Sequence, residues 1–555
     1  MAEQPKTEGA SPDAMDIKRP ITPKPSQGAI DKAAKAWAPL PKRAWDLDKA
    51  IHLLRRIGFA ATPAMVRDLK GKSAEESVEF LLSRGESFPM PADVQNPERV
   101  KAMIQASLDE ADAKYRELDT MLDAREAKNM MAKPEDLKLR RYYEGLSRQY
   151  TQELANYEGA VFDYYSHDWL NFAAKPENVA QEKLVMFMHN VLVVNCQDGV
   201  KGDLKVIYHY QKLLRDGLKG NFIDLCKKMS KSAAMMNMLD LTVNTKLKPN
   251  ENFSRELMEL FILGRDQGYV EHDIKEAARA FTGYKFRPGS FEFYLEQSEV
   301  DNTEKTIFGQ TKNFNGDQVI DLIFEQDGAA THLVRELCGF YLNSEPIPEP
   351  FIHALGQQWR EQGFDLPWLF KAFFSSGMFY HSLNRGKLVK SPIDLMIGLS
   401  LNLGVGMNPF PRRNAQFLRM MGQEFMNPPD VEGWQGGNEW INNATVQVRR
   451  VLIESFFLPV KQNVLTDEEK KVYKKMTYDG ERSFHVDKAR LDTFSQKENT
   501  ELVDHLIKFF LPVEPDFKFR RVLISHISKM GDVPRETRIK QVLLALLQSP
   551  FYQLA

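Results

Sequence analysis

Cysteine is scarce in this chain: Cys196, Cys226 and Cys338 are the only three, widely spaced and odd in number. That excludes a disulfide framework and a CxxC metal or redox motif, and it reads as reduced, buried thiols in a cytoplasm-like compartment. Long apolar runs are missing too; none approaches the roughly 18 residues of a membrane span. Met1 to about Lys42 is polar and has no hydrophobic segment of the secretory type, so no signal peptide is expected as written. Arg55-Arg56 lie inside a helical pattern with Leu53, Leu54 and Ile57 and are not a twin-arginine export signal. Charge of one sign is also absent. The net charge is −2 over 555 residues, which leaves no electrostatic case for nucleic acid or an anionic membrane. There is no Walker A loop, no Gly-rich dinucleotide turn, no HExxH and no ExxH pair of a di-iron bundle. No cofactor and no metal ligands are therefore expected, and the location is expected to be cytoplasmic.

What the chain does have is helical periodicity with caps along most of its length. Residues 1–42, rich in Pro, Ala and Lys, read as a disordered arm with a little helix near Ile30–Trp37. Residues 43–460 read as a helical core. Thr62-Pro63, Ser73 with Glu76, and Ser391-Pro392 with Asp394 are helix starts. Within the core, residues 96–165 form a charged antiparallel helical hairpin divided at Pro134, projecting as a spacer or contact arm. His189 sits in the apolar run EKLVMFMHNVLVVN and is expected to be a packed, hydrogen-bonded core residue. Phe291, Phe293 and Tyr294 form the only expected strand. The loop NPPDVEGWQGG from Asn427 is rigid and shaped, and Asn443 caps the next helix. Residues 461–499 read as a charged surface insertion, and residues 500–555 as C-terminal helices completing the core. The fold class is all-α: a large irregular helical array with at most a trace of β.

The most informative stretch is PNENFSRELMELFILGRDQGYVEHDIKEAARAFTGY, residues 249–284. Asn250 caps its first helix, Gly264 stops it, and Asp273 caps a second helix with Glu276 as its partner. Asn252, Arg255, Glu256 and Glu259 follow at i, i+3, i+4 and i+7, on one face at about 100° per residue. Three readings stay open: a solvent face laced by an Arg255–Glu259 pair, a buried structural network, or a site with two carboxylates one turn apart.

Seven or eight segments, in order, resemble the large bacterial family called domain of unknown function 1800. They include LLRRIGFAATP at 53–63, GNFIDLCKKMSKSAAMMNMLD at 220–240, PNENFSRELMELFILG at 249–264 and GYVEHDIKEAARAFTGY at 268–284. DNTEKTIFG at 301–309, KSPIDL at 390–395, NPPDVEGWQGGNEW at 427–440 and LLQSPFYQ at 546–553 complete the set. The resemblance implies a mainly helical protein and names no reaction. It also implies a protein partner resembling alkaline phosphatases or sulfatases and an envelope-related role, which the missing export signal weakens for this chain. Relatives often carry histidine where this chain has Val191 and Val300, and tryptophan where it has Tyr284. Valine neither binds a metal nor moves a proton.

The expected function is therefore a non-catalytic or catalytically degenerate helical protein that binds a partner. The alternative is a hydrolase or transferase acting on an anionic substrate, glycan or phosphate- or sulfate-bearing. In that case Glu256, Glu259 and Arg255 would carry the chemistry, and Asn252, Arg279, Asp301, Lys305 and Trp434 would bind the substrate.

Overall fold

In a computed structural model, residues 24–196, 203–459, 465, 467–478, 484–529 and 533–555 are described. The local helix signals act as written. Thr62 accepts from the Met65 amide with Pro63 in the first turn, and the Ser73–Glu76 and Ser391–Asp394 capping boxes close reciprocally. Each satisfies amides that a helix start otherwise leaves unpaired. Two positions slip. The second helix of the central stretch, Glu271–Ala280, is capped at Val270, and Asp273 sits one turn in, accepting from the Val270 and Phe308 amides. Asn442, not Asn443, caps the helix Asn443–Ser455.

The fold is essentially all-α. Among the described residues sheet is limited to two antiparallel ribbons, Tyr284–Phe286 with Phe293–Leu295 and Lys305–Ile307 with Gln310–Lys312. One apolar core runs through the array from Ile30 to Tyr552. At its centre lies the helix Val179–Val191, buried on nearly every residue. No helix among the described residues is long and apolar enough to cross a membrane.

The expected disordered arm is corrected from Lys24 onward; residues 1–23 lie outside the described residues. Gln27–Ala34 is a helix that buries Ile30 and Ala33, and Trp37 stacks on Phe373 with ring centroids 5.7 Å apart. The Trp37 indole donates to the Phe351 carbonyl at 2.8 Å. Polar composition concealed an amphipathic segment with one large aromatic anchor. The 461–499 insertion is corrected in the same way. Val486, Leu491 and Phe494 join the main core, while the helix Asp467–Tyr478 lies along the hairpin, where the Asp467 amide donates to Glu110 at 2.6 Å.

The hairpin itself is two helices, Pro97–Glu126 and Pro134–Ala155. It has a separate small core of Val100, Ile104, Ala111, Tyr143, Leu146, Tyr150 and Val161. Beyond that core its tip is held by ion pairs such as Arg140–Asp119 at 2.7 Å and Arg125–Asp136 at 3.4 Å, and Met131 is 93% exposed. Surface pairs of this kind contribute little. Replacing residues 119–140 by a short turn is expected to lower the stability of the body by no more than about 1 kcal/mol. Calorimetry checks this; loss of the cooperative transition would show that the tip is needed for folding.

Candidate functional site

The central buried helix carries its last polar residues, His189 and Asn190, toward a loop. His189 Nε2 meets the Val194 carbonyl at 2.8 Å, and burial pushes its pKa down to about 4. It is the neutral, packed histidine the sequence suggests. Asn190 holds the loop at Trp434: its Oδ1 accepts from the Trp434 amide at 2.7 Å, and its Nδ2 donates to the Trp434 carbonyl at 3.4 Å. Gly433 permits this approach. Its φ is +77°, and a Cβ there would stand 2.6 Å from Asn190 Oδ1. The two motifs therefore belong to one device.

Behind the loop lies a cavity of about 830 Å³. Trp434 and Trp440 line it from the loop, and Glu259, His332 and Glu336 line it from the π-turn Leu257–Ile262 and the helix Gly328–Tyr341. Its floor is Arg56, Lys183 and Asp394. Lys183 Nζ pairs with Asp394 at 3.0 Å and donates to the Gly58 carbonyl at 2.8 Å. Arg56 donates through Nη2 to the Asn384 carbonyl at 2.5 Å and the Leu342 carbonyl at 3.3 Å. Burial lowers its pKa to about 9, against the opposing pull of Asp394.

The wall depends on an irregularity. After Asn252–Glu256 the helix widens into a π-turn over Leu257–Ile262, with the Leu263 amide bonded to the Met258 carbonyl. The Leu260 carbonyl is taken by His332 Nε2 at 2.6 Å. A carbonyl only accepts, so the proton is on Nε2 and Nδ1 is left as the basic nitrogen. Burial keeps this imidazole below its usual range despite Glu336 nearby.

The π-turn begins within the four-residue stripe, yet the Arg255–Glu259 pair implied by the spacing still closes at 3.7 Å. Glu259 lines the cavity, but Asn252, Arg255 and Glu256 do not. Arg255 reaches Glu271 at 2.6 Å, Glu251 at 3.0 Å and Glu259 at 3.7 Å. Burial, then the Glu259 charge, raises the pKa of Glu256. Asn252 borders a separate hollow with Val243 and Lys248. The stripe is half-buried throughout, so it is neither sealed nor a plain surface.

Arg279 belongs to a second network. It pairs with Glu276 at 2.7 Å and Asp301 at 2.8 Å, and it also bonds Thr303. Burial alone would raise Asp301, but the Arg279 and Thr303 hydrogen bonds outweigh it and hold the pKa at about 2. Lys305 Nζ is fully engaged, donating to the Asp301 and Thr303 carbonyls at 2.8 Å each and to Asn313 at 3.0 Å. Of the sequence candidates, only Glu259 and Trp434 therefore meet at the cavity. Val191 lines it and Val300 does not; Val300 packs against Gly283 beside the second network. Arg56, Lys183, His332, Glu336 and Asp394 were not expected there. The one available signal was Glu182-Lys183, two charges inside an apolar helix. No group of three His, Cys, Asp or Glu side chains among the described residues is placed to hold a metal ion.

The two networks should separate in stability. Arg255 is 32% exposed at its side chain, Asp301 only 11%. Arg255→Ala is expected to cost about 1 kcal/mol or less, and Asp301→Asn about 1–3 kcal/mol, because Arg279 loses a partner in a part-buried site. Urea unfolding of both variants checks the order. A pH series tests the buried imidazoles. His167 and His189 are held neutral by burial, with pKa values of about 4 against 6.5 when free. The unfolded chain binds their protons first, so stability is complete above pH 6.5 and is lost progressively as pH falls toward 4. His189→Phe should flatten that slope, and an unchanged slope would remove His189 from the account.

No curated protein and no solved structure matches the chain. A family model described as Protein of unknown function (DUF1800) matches residues 52–554, nearly the whole length. On that match, the chain belongs to the DUF1800 family.

Proposed function

We propose that this protein is a non-catalytic binding protein whose ligand is a small polar molecule held in the central cavity. The observation that carries this reading is the cavity itself: about 830 Å³, of the size small-molecule sites have, with two tryptophans on one wall and charged groups on the others. Trp434 is clamped by Asn190 and leans on His189 at 5.7 Å between ring centroids, so one wall is preorganised. Of the residues proposed for catalysis, Arg255, Glu256 and Glu259 stay close together, with Arg255 and Glu259 paired at 3.7 Å, but only Glu259 lines the cavity. The family resemblance also implies that Val191 and Val300 stand where relatives often carry histidine, and valine cannot transfer a proton. We further propose that the chain works with a protein partner, with the projecting hairpin as its contact arm, and in the cytoplasm.

A second reading has one observation in its favour. With Nε2 given to the Leu260 carbonyl, His332 Nδ1 is the ring's basic nitrogen, and the ring lines the same cavity as Glu259 and Glu336. That is the minimum for acid–base chemistry on a bound substrate.

One experiment separates the two. Purified full-length protein is incubated with a small-molecule extract, and the complex is weighed by native mass spectrometry. A 1:1 ligand recovered chemically unchanged supports the binding reading, with Trp434→Ala weakening capture about tenfold or more. Recovery of a converted product, abolished by His332→Gln, would replace it with the enzyme reading.

A further inference from the structure

The cavity floor and the residues packed around it are unusual in charge, although of the four bases only Arg56 and Lys183 line the cavity itself. Arg56 and Arg449 are each 1% exposed, Lys183 4% and Lys390 6%. Arg449 donates to the Lys390 carbonyl at 2.8 Å, and Lys390 Nζ donates to the Tyr552 carbonyl at 2.6 Å while lying 3.5 Å over the Tyr552 ring. The carboxylate acting on all four cations is Asp394. Among the described side chains, Asp394 is thus the acid shared by four buried bases. Carbonyl oxygens and an aromatic face soften this imbalance but supply no negative charge.

Arg56 lines the cavity and keeps two idle donors just beneath its surface. Its Nε and Nη1 have no hydrogen-bond partner among the described residues, although both atoms are out of contact with solvent. A buried guanidinium with two idle nitrogens is costly unless something accepts from it. Guanidinium groups are best satisfied by oxyanions, through charge-assisted hydrogen bonds. Lys183, with two of its three protons engaged, stands on the same floor.

The rim carries the opposite charge. Glu336, Glu345 and Glu439 line the cavity, are half-buried or exposed, and form no ion pair among the described residues. Arg265 and Arg335, also at the rim, are neutralised by Glu432 and Glu349. Such a rim repels a polyanion and accepts a molecule whose outer end bears hydroxyl or amino groups.

We propose that the cavity floor is an oxyanion subsite, in which Arg56 and Lys183 receive the single carboxylate or phosphate group of a small ligand whose other end faces the acidic rim. The proposal rests on the binding reading above and adds the ligand's class and orientation.

The test uses the full chain and two probes, inorganic phosphate and acetate, titrated at constant ionic strength against chloride. Melting temperature and tryptophan fluorescence are read together, because Trp434 stands on the cavity wall. At least one probe is expected to give a saturable rise in melting temperature with a matching fluorescence change; which one does so tells phosphate from carboxylate. Arg56→Met should weaken that probe about tenfold or more. Arg56→Lys, which keeps the charge, should retain part of the effect and guards against a folding defect in the first variant. If neither probe exceeds chloride in the wild type, or if folded Arg56→Met binds as well as wild type, the subsite does not exist. The binding reading fails separately. A 1:1 ligand with no anionic group would leave that reading standing and overturn this one. Saturable phosphate or acetate binding with no captured ligand would do the reverse.

Discussion

Glu182 carries a carboxylate at 0% exposure, and the surrounding architecture answers it. Arg215 grips it through Nε and Nη2 at 2.7 and 2.6 Å, and the Trp169 indole donates at 2.7 Å. A charge so placed persists only when its partners are held rigidly and its lone pairs are filled. Lys183, the next residue, makes the complementary demand in another direction and is met by Asp394 and the Gly58 carbonyl. Two adjacent charges therefore tie the central helix to the helices Tyr157–Ala173 and Leu204–Gly217, and to the end of Leu47–Ile57 and the start of Pro392–Leu403.

The cavity follows from the same helix. One end of its polar series makes the floor, and the other, at Asn190, fixes the tryptophan loop. Both are set by hydrogen bonds to buried groups, so floor and wall move as one unit with the core. Another part of the lining is built differently, from a π-turn whose Leu260 carbonyl needs a histidine from another helix. Widened turns of this kind cost regular hydrogen bonding and recur at functional sites.

Local chemistry was legible in the chain; distant chemistry was not. Thr62-Pro63, Ser73/Glu76 and Ser391/Asp394 act within four residues, so their sequence spacing is their geometry. The Arg255–Glu259 pair of the stripe followed from its i, i+4 spacing, but that Glu259 alone of the stripe would line a cavity did not, because that depends on distant helices and loops. Arg56 looked like an ordinary member of an amphipathic helix, because nothing in its neighbours says that two of its nitrogens will be left without acceptors. The terminal arm and the charged excursion were misjudged for one reason. Average polarity outweighed a few apolar residues, Ile30 and Trp37 in one, Leu491 and Phe494 in the other, whose partners lie hundreds of residues away or in the last helices.

The last residues close the region beneath the floor. Lys390 is bonded to the Tyr552 carbonyl, Arg449 to Gln553, and the Val389 backbone bridges Leu554. Most helices have near partners, but Lys390 finds the acceptor of its ammonium, and Arg449 the second of its two, only when the distant segment around Tyr552 docks. Without the segment around Tyr552, Lys390 would lose the acceptor of its ammonium and Arg449 one of its two, so a short stretch far along the chain seals charges carried by residues that precede it.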